Sequence, residues 1–90
     1  MKAVQVLDLD KELEDFAPGE WQWLAERVGI IFRLPNGHLG SITNYGNHKW
    51  SVTGDGETIS ATPSIWYRAG QGPAAGEWHG YLTNGEWLPC

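Results

Sequence analysis

The stretch Trp78-His79-Gly80-Tyr81-Leu82-Thr83-Asn84-Gly85-Glu86-Trp87-Leu88 decides the fold. Asn84-Gly85 lies between two runs of strand-forming residues, and this dipeptide suits the two positive-φ positions of a type I′ turn. The sequence therefore predicts an antiparallel hairpin that turns at Asn84-Gly85.

Short strand-like segments separated by turn residues continue toward the N-terminus, at a spacing of roughly ten residues. We predict strands over 29–34, 40–44, 49–53, 57–61 and 64–68, with 40–44 paired to 49–53. Residues 69–76, rich in Gly and Ala, are predicted as a surface loop with the composition of a mobile segment. The pattern is typical of a mainly β domain, either a meander, a sandwich or a partly open barrel.

The N-terminal segment is the acidic part of the chain. The first 27 residues hold seven of the eleven Asp and Glu residues, and the remainder is nearly neutral. Asp10 is a suitable N-cap for one short helix over 10–16. We therefore predict one domain over 1–90, in which an acidic arm with this helix (1–19) precedes a Trp- and Gly-rich β region (20–90).

Two interpretations of residues 20–28 remain open. A strand would place Trp21 and Trp23 on one face. A helix is the alternative, because residues 24–27 are good helix formers.

Length, charge and cysteine count limit the class of protein. Ninety residues with a net charge of −5 leave a thin core and no room for a separate cofactor domain. The longest apolar run, Val28–Phe32, is far shorter than the ~20 residues that a membrane span needs, so no membrane association is expected. Cys90 is the single cysteine and cannot form an internal disulfide, which favours a cytoplasmic protein.

Sequence motifs of enzymes are missing. The chain has no phosphate-binding loop or dinucleotide fingerprint, and its three histidines lack the spacing of a metal site. Ser60 or Ser64 can be combined with His79 and Asp55 into a hydrolase triplet, but any chain of this length supplies such combinations by chance. We therefore predict a protein that is not an enzyme, with no catalytic residues, no metal and no cofactor.

The second half of the chain resembles a known family. The segments HKWSVTGDGETISATPSI and EWHGYLTNGEW, with the C-terminal Cys, are similar to small phage and bacterial proteins of domain-of-unknown-function family 6527. The segment PGEWQWLAERVGIIFRLPNG resembles the start of the phage-encoded branch, so the likeness covers residues 17–90. Typical members carry a Cys-Pro-Cys-Gly knuckle where this chain has Leu34-Pro35-Asn36-Gly37, and here only His79 and Cys90 match their metal ligands. A structural zinc needs four N or S donors. The resemblance therefore implies a metal-free member in which Leu34 packs inward, and a setting in the cytoplasm of a bacterial host.

A small phage protein without a catalytic signature is expected to act by binding, and three roles remain open. The first is counter-defence by capture of a nucleotide-like small molecule, such as a host immune signal, with a homo-oligomer building the pocket at a subunit interface. Strand alternation places Trp66 and Arg68 on one face and Tyr67 on the other. The candidate ligand-binding residues flank the Gly/Ala loop and are Trp66, Tyr67, Arg68, Trp78 and Tyr81.

The second role is direct inhibition of a host defence protein, with an acidic face set against a basic nucleic-acid groove. Its candidate residues are Asp10, Glu14, Asp15, Trp21 and Trp23. The third is a structural or accessory phage protein whose aromatic surface serves assembly. Sequence-specific DNA binding is not expected, because the chain is acidic and has no recognition-helix pattern.

Overall fold

The structure is a computed structural model, and it describes residues 1–68 and 76–90. These residues form two four-stranded sheets in which spatial order follows sequence order. The strands of the first sheet are β1 (Val4–Gln5), β2 (Glu20–Trp23), β3 (Gly29–Arg33) and β4 (Leu39–Thr43). The strands of the second sheet are β5 (Ser51–Thr53), β6 (Ser60–Tyr67), β7 (Trp78–Thr83) and β8 (Glu86–Pro89). The predicted mainly β class is confirmed.

Helical structure in the described part of the chain is limited to 3-10 turns. They lie at Leu13–Asp15, Ala25–Arg27 and Gly56–Thr58. None of the helices within 1–68 and 76–90 has the length and apolarity needed to cross a membrane.

The C-terminal hairpin is confirmed. β7 and β8 pair antiparallel with Thr83 opposite Glu86, which leaves Asn84 and Gly85 as the two-residue turn. Both turn residues have positive φ, 46° for Asn84 and 75° for Gly85. The Asn-Gly signal therefore acts as the sequence indicates.

The predicted helix over 10–16 is wrong in extent and in its cap. The segment forms one 3-10 turn whose N-cap residue is Glu12, not Asp10. The Asp10 amide instead donates to Asp8 Oδ1 at 2.9 Å. Phe16 is the buried residue of 10–16, so a longer helix would have no apolar face to stabilise it.

Residues 20–28 are a strand followed by a turn. β2 covers 20–23, which confirms the strand interpretation for that part. Glu26 and Arg27 have φ of 58° and 53°, and this left-handed backbone excludes the predicted alternative of a regular helix.

The predicted pairing of 40–44 with 49–53 is wrong. β4 pairs with β3 over five residues, whereas β5 pairs with β6 in the other sheet over three. The two segments meet in a backbone hydrogen bond from the Trp50 N–H to the Thr43 carbonyl, 2.9 Å. The residues between them carry the chain from one sheet to the other, because each strand finds its register with a different partner.

The core lies between the two sheets. Trp87, fully buried on β8, contacts the ring of Phe32 on β3 at 5.4 Å between centroids. Its Nε1–H donates to the carbonyl of Gly19 at 2.9 Å. Leu34 is also fully buried, which confirms its predicted inward packing. The aromatic residues of both sheets therefore build one continuous apolar layer.

A second tie between the sheets positions β6. The Tyr67 hydroxyl donates to the Ser41 carbonyl and accepts from the Ser41 N–H, both at 3.1 Å. The Tyr67 side chain faces inward. Its neighbours Trp66 and Arg68 therefore belong to the outer face of the second sheet, as strand alternation predicts. This outer face, between β6 and β7, carries the candidate site.

Candidate active site

A serine and a histidine are hydrogen-bonded on the outer face of the second sheet. His79 Nε2 on β7 lies 2.9 Å from Ser64 Oγ on β6, and both residues are half-buried. With the hydroxyl as donor, Nε2 is the acceptor and the ring proton is on Nδ1. This is the arrangement in which an imidazole can take the proton of a nucleophilic hydroxyl.

A β-bulge in β6 sets the register of Ser64 relative to His79. Ala61 pairs with Leu82 and Ile65 pairs with Gly80, so β6 spends two more residues than β7 between these pairs. Pro63 lies in this irregular part, where its missing N–H removes no ladder hydrogen bond. Bulges re-aim side chains and are common next to active sites. Here the bulge sets Ser64 diagonally across from His79.

Trp66 supports the imidazole from the neighbouring position. Trp66 and His79 are direct cross-strand partners, and their rings stack with centroids 5.1 Å apart at an interplanar angle of 24°. The Trp66 Nε1–H donates to Glu77 Oε2 at 2.6 Å, which fixes the indole in turn. The stack holds the imidazole plane, and an indole face also stabilises a cationic ring.

A third, acidic member of the site is not seen in the described part of the chain. No carboxylate within 1–68 and 76–90 accepts a hydrogen bond from the ring of His79. In these residues the site is therefore a Ser–His dyad, with a stacked indole on the imidazole.

Asp55 and Ser60, the other residues of the hydrolase triplet considered from the sequence, do not contact the dyad and make hydrogen bonds elsewhere. The Asp55 carboxylate accepts hydrogen bonds from Trp23 Nε1 and Arg27, both at 3.0 Å. The hydrogen bond from Trp23, together with the Gly56 amide and the Arg27 charge, lowers the pKa of Asp55. The Ser60 hydroxyl donates to a carbonyl of its own segment and accepts the Asn84 amide at 2.8 Å. Asp55 and Ser60 therefore stabilise the turns beside them, and of the four residues considered only Ser64 and His79 are hydrogen-bonded to each other.

The five residues predicted as a ligand pocket do not gather. Trp66 and Tyr81 lie on the outer face with the dyad and are 50% and 45% exposed. Arg68 stacks over the Trp66 ring at 4.6 Å from its centroid. Trp78 belongs to the core, and Tyr67 faces inward, where burial raises its pKa. The five residues therefore divide between the two faces of the sheet, as the alternation of strand side chains predicts for Trp66 and Tyr67.

The two tryptophans predicted to anchor an acidic partner-binding face are not free to contact a partner. Asp10, Glu14 and Asp15 are exposed. Trp21, however, is fully buried in the core and cannot reach a partner. Trp23 is half-buried and is held by its hydrogen bond to Asp55.

Other features of the described residues add no chemistry to the dyad. A cavity of about 280 Å³ lies between β1 and the Gly56–Thr58 turn, beside the Lys2–Glu57 ion pair, and its lining includes no residue of β6 or β7. Within the described ranges, no three His, Cys, Asp or Glu side chains are grouped so as to hold a metal ion. The predicted Gly/Ala loop, apart from Gly76, lies outside the described residues.

Ser64 and His79 were combined in the triplet considered from the sequence, but the combination was treated as one that arises by chance. The signal that could have found their pairing is the shared parity of Ser64 and Trp66, with His79 one hairpin away on the next strand. Glu77 was missed, because its contact is made by an indole N–H and not by the histidine.

Comparison with known proteins changes the predicted function. The model of the family described as bacterial ubiquitination-like system serine protease (BubE) matches residues 26–90, which include the dyad. The chain matches no curated protein and no solved structure. The resemblance to domain-of-unknown-function family 6527 is thereby overturned, and with it the phage setting and the roles in counter-defence and nucleotide capture. The prediction that the protein is not an enzyme is also wrong, since the family is one of serine proteases. With more than half of its residues matched, the chain belongs to the family of bacterial ubiquitination-like system serine proteases.

Proposed function

We propose that this protein is a serine protease in which Ser64 is the nucleophile and His79 the general base. The observation that carries the proposal is the 2.9 Å hydrogen bond between Ser64 Oγ and His79 Nε2. Such a contact between a hydroxyl and an imidazole is the geometric requirement for an activated serine. The family match supports the same chemistry.

The reaction would proceed in two displacements. As Ser64 Oγ attacks the scissile carbonyl carbon, His79 Nε2 takes the hydroxyl proton. The imidazolium then gives this proton to the leaving amine, the C–N bond breaks, and an ester to Ser64 remains. Water attacks that ester while His79 accepts its proton, and the proton returns to Ser64 Oγ as the acid product leaves.

Trp66 takes part of the role that an acid has in a catalytic triad. In a triad, the acid orients the imidazole and stabilises the imidazolium. The stacked indole of Trp66 holds the plane of the His79 ring and offers its π face to the cation. Trp66 is therefore a positioning residue in this proposal.

The substrate we propose is a protein of a bacterial ubiquitination-like system, following the family description. A cytoplasmic location and a homo-oligomeric state stay predictions from the sequence.

The test is covalent labelling with a fluorophosphonate, which reacts with activated serines. We expect one adduct per chain, located at Ser64 by mass spectrometry of the digested protein. Ser64→Ala should abolish the labelling, and His79→Ala should slow it by at least about a hundredfold, within the usual contribution of a general base. Ser60→Ala is the matched control, since Ser60 is a half-buried serine on the same strand, and it should label at the normal rate.

Each variant is checked by urea unfolding, so that a loss of labelling is not a loss of folding. Labelling that persists in Ser64→Ala, or that is absent from the folded wild-type protein, would refute the proposal.

A further inference from the structure

One edge of β6 is uncovered next to the dyad. β5 pairs with β6 only from Ser60 to Thr62, whereas β6 continues to Tyr67. Within the described ranges, no strand pairs with β6 on this side beyond Thr62. The part of β6 that follows Ser64 is therefore an open sheet edge.

The hydrogen-bond pattern shows which backbone groups point to this edge. The Cys90 amide donates to the His79 carbonyl at 2.9 Å, so His79 directs its backbone groups to β8. Residues of an antiparallel strand alternate between their two neighbours. Trp78 and Gly80 are therefore the ones that bond to β6, through Tyr67 and Ile65.

Trp66 lies between these two bonded positions. Its N–H and carbonyl must point away from β7, toward the open edge. Ser64 has the same parity, and its carbonyl accepts the Trp50 Nε1–H at 3.3 Å on that side, which agrees with the assignment. Trp50 thus fills the edge at Ser64, and the edge at Trp66 stays open in the described part of the chain.

We propose that an extended polypeptide segment of the substrate adds to this edge as an antiparallel strand, and that one of its residues exchanges two backbone hydrogen bonds with Trp66. The inference rests on the proposed protease function and names how the substrate binds. Exposed N–H and carbonyl groups at a sheet edge are the known template for strand addition.

The surroundings of the dyad favour an extended polypeptide over a small molecule. Ser64 and His79 lie on a sheet face, and the cavity described above is lined by other elements. A small ligand needs a concave site to bury most of its surface, whereas a strand obtains its affinity from main-chain hydrogen bonds. In an antiparallel substrate strand, the residue opposite Ser64 lies two positions after the residue paired with Trp66. Trp50 blocks in-plane pairing at Ser64. The scissile bond should therefore lie about two residues C-terminal to the residue paired with Trp66.

The experiment uses wild-type protein and a mixture of randomised decapeptides, with cleavage products identified by mass spectrometry. The best-cleaved decapeptide is then synthesised with a single N-methyl group at each position in turn. At one position, that of the residue paired with Trp66, the N-methyl group should lower kcat/KM by about tenfold or more, as expected for the loss of its hydrogen bond to the Trp66 carbonyl. Methylation of the two neighbouring residues, whose N–H groups point away from β6, should change it by less than about threefold. Replacing the sensitive amide by an ester, which removes the N–H without added bulk, should reproduce the loss.

The outcomes separate this inference from the proposed function. If the fluorophosphonate labels Ser64 but no decapeptide is cleaved, or if no position shows the alternating sensitivity, strand addition at Trp66 is refuted and the nucleophile stands. If Ser64 is not labelled at all, the protease function fails and the inference fails with it.

Discussion

Replacing Tyr67 by Phe tests the tie that holds the dyad strand to the first sheet. The change removes two hydrogen bonds to the backbone of Ser41, each 3.1 Å long, and keeps the ring contacts with Phe32 and His38. Hydrogen bonds contribute about 0.5–1.5 kcal/mol each, and the low end applies because Ser41 is exposed and water can replace the lost partner. We expect the free energy of unfolding to fall by about 1 kcal/mol, equivalent to a decrease in Tm of about 4–8 °C.

The pH dependence of the stability difference tests whether the buried Tyr67 hydroxyl is its cause. Burial raises the pKa of Tyr67 above its ordinary value of 10.0. A raised pKa means that the native protein binds this proton more tightly, so the stability is fully present below pH 10 and is lost as the pH rises toward the native pKa. The difference between wild type and Tyr67→Phe should therefore be constant from about pH 7 to 9 and shrink above about pH 10.

The assay is urea unfolding followed by Trp fluorescence, at several pH values. An unchanged m value confirms that the variant alters stability and not the extent of unfolding. A loss below about 0.3 kcal/mol would show that the hydroxyl is not a tie between the sheets. A difference that persists unchanged at alkaline pH would refute the buried setting of the phenol.

Three further predictions concern the candidate site, the loss of folding stability at low pH and the C-terminal hairpin. Glu77→Leu should slow fluorophosphonate labelling about tenfold, because Trp66 then loses the acceptor that fixes it on the dyad histidine; it should lower kcat with little change in KM, and Glu77→Gln should restore most of the rate. Asp55→Asn should flatten the loss of stability in acid: the Trp23 hydrogen bond lowers the pKa of Asp55 below 3.8, so its contribution is present above that pH and is lost as the pH falls through the native pKa. Urea unfolding between pH 7 and 2.5 measures this, and an identical pH dependence would contradict it. Gly85→Ala should cost about 2 kcal/mol or more, since φ is +75° and a Cβ would collide with a backbone carbonyl; an unchanged urea midpoint would contradict it.

The fold was predictable where the signal is local. Asn84-Gly85 specifies its turn through two backbone positions, and no distant contact is needed to select it. The pairing of β4 and β5 was not predictable in this way, because proximity along the chain favours the nearest strand. The choice depends on distant partners, the five-residue register with β3 and the three-residue register with β6.

The site was predictable in residue types and not in geometry. Alternation correctly separates Trp66 from Tyr67. It does not predict the register of β6 against β7, which shifts by two residues between Ala61 and Ile65 and sets Ser64 diagonally across from His79. Parity places Ser64 and Trp66 on one face, but without the register between the strands the pair could not be distinguished from chance combinations.

The tryptophans show how a correct signal led to the wrong chemistry. The core or an inter-strand contact accounts for five of the six: Trp21, Trp78 and Trp87 are buried, and Trp23 and Trp50 are half-buried and hydrogen-bonded. Trp66 is left 50% exposed, although burial of an indole would stabilise a thin core. An exposed indole in a small domain indicates a functional surface, and Trp66 does lie beside the dyad. A flat aromatic face can stack on a nucleotide base or on an imidazole, so the residue type alone could not distinguish a small-molecule ligand from the histidine of the dyad.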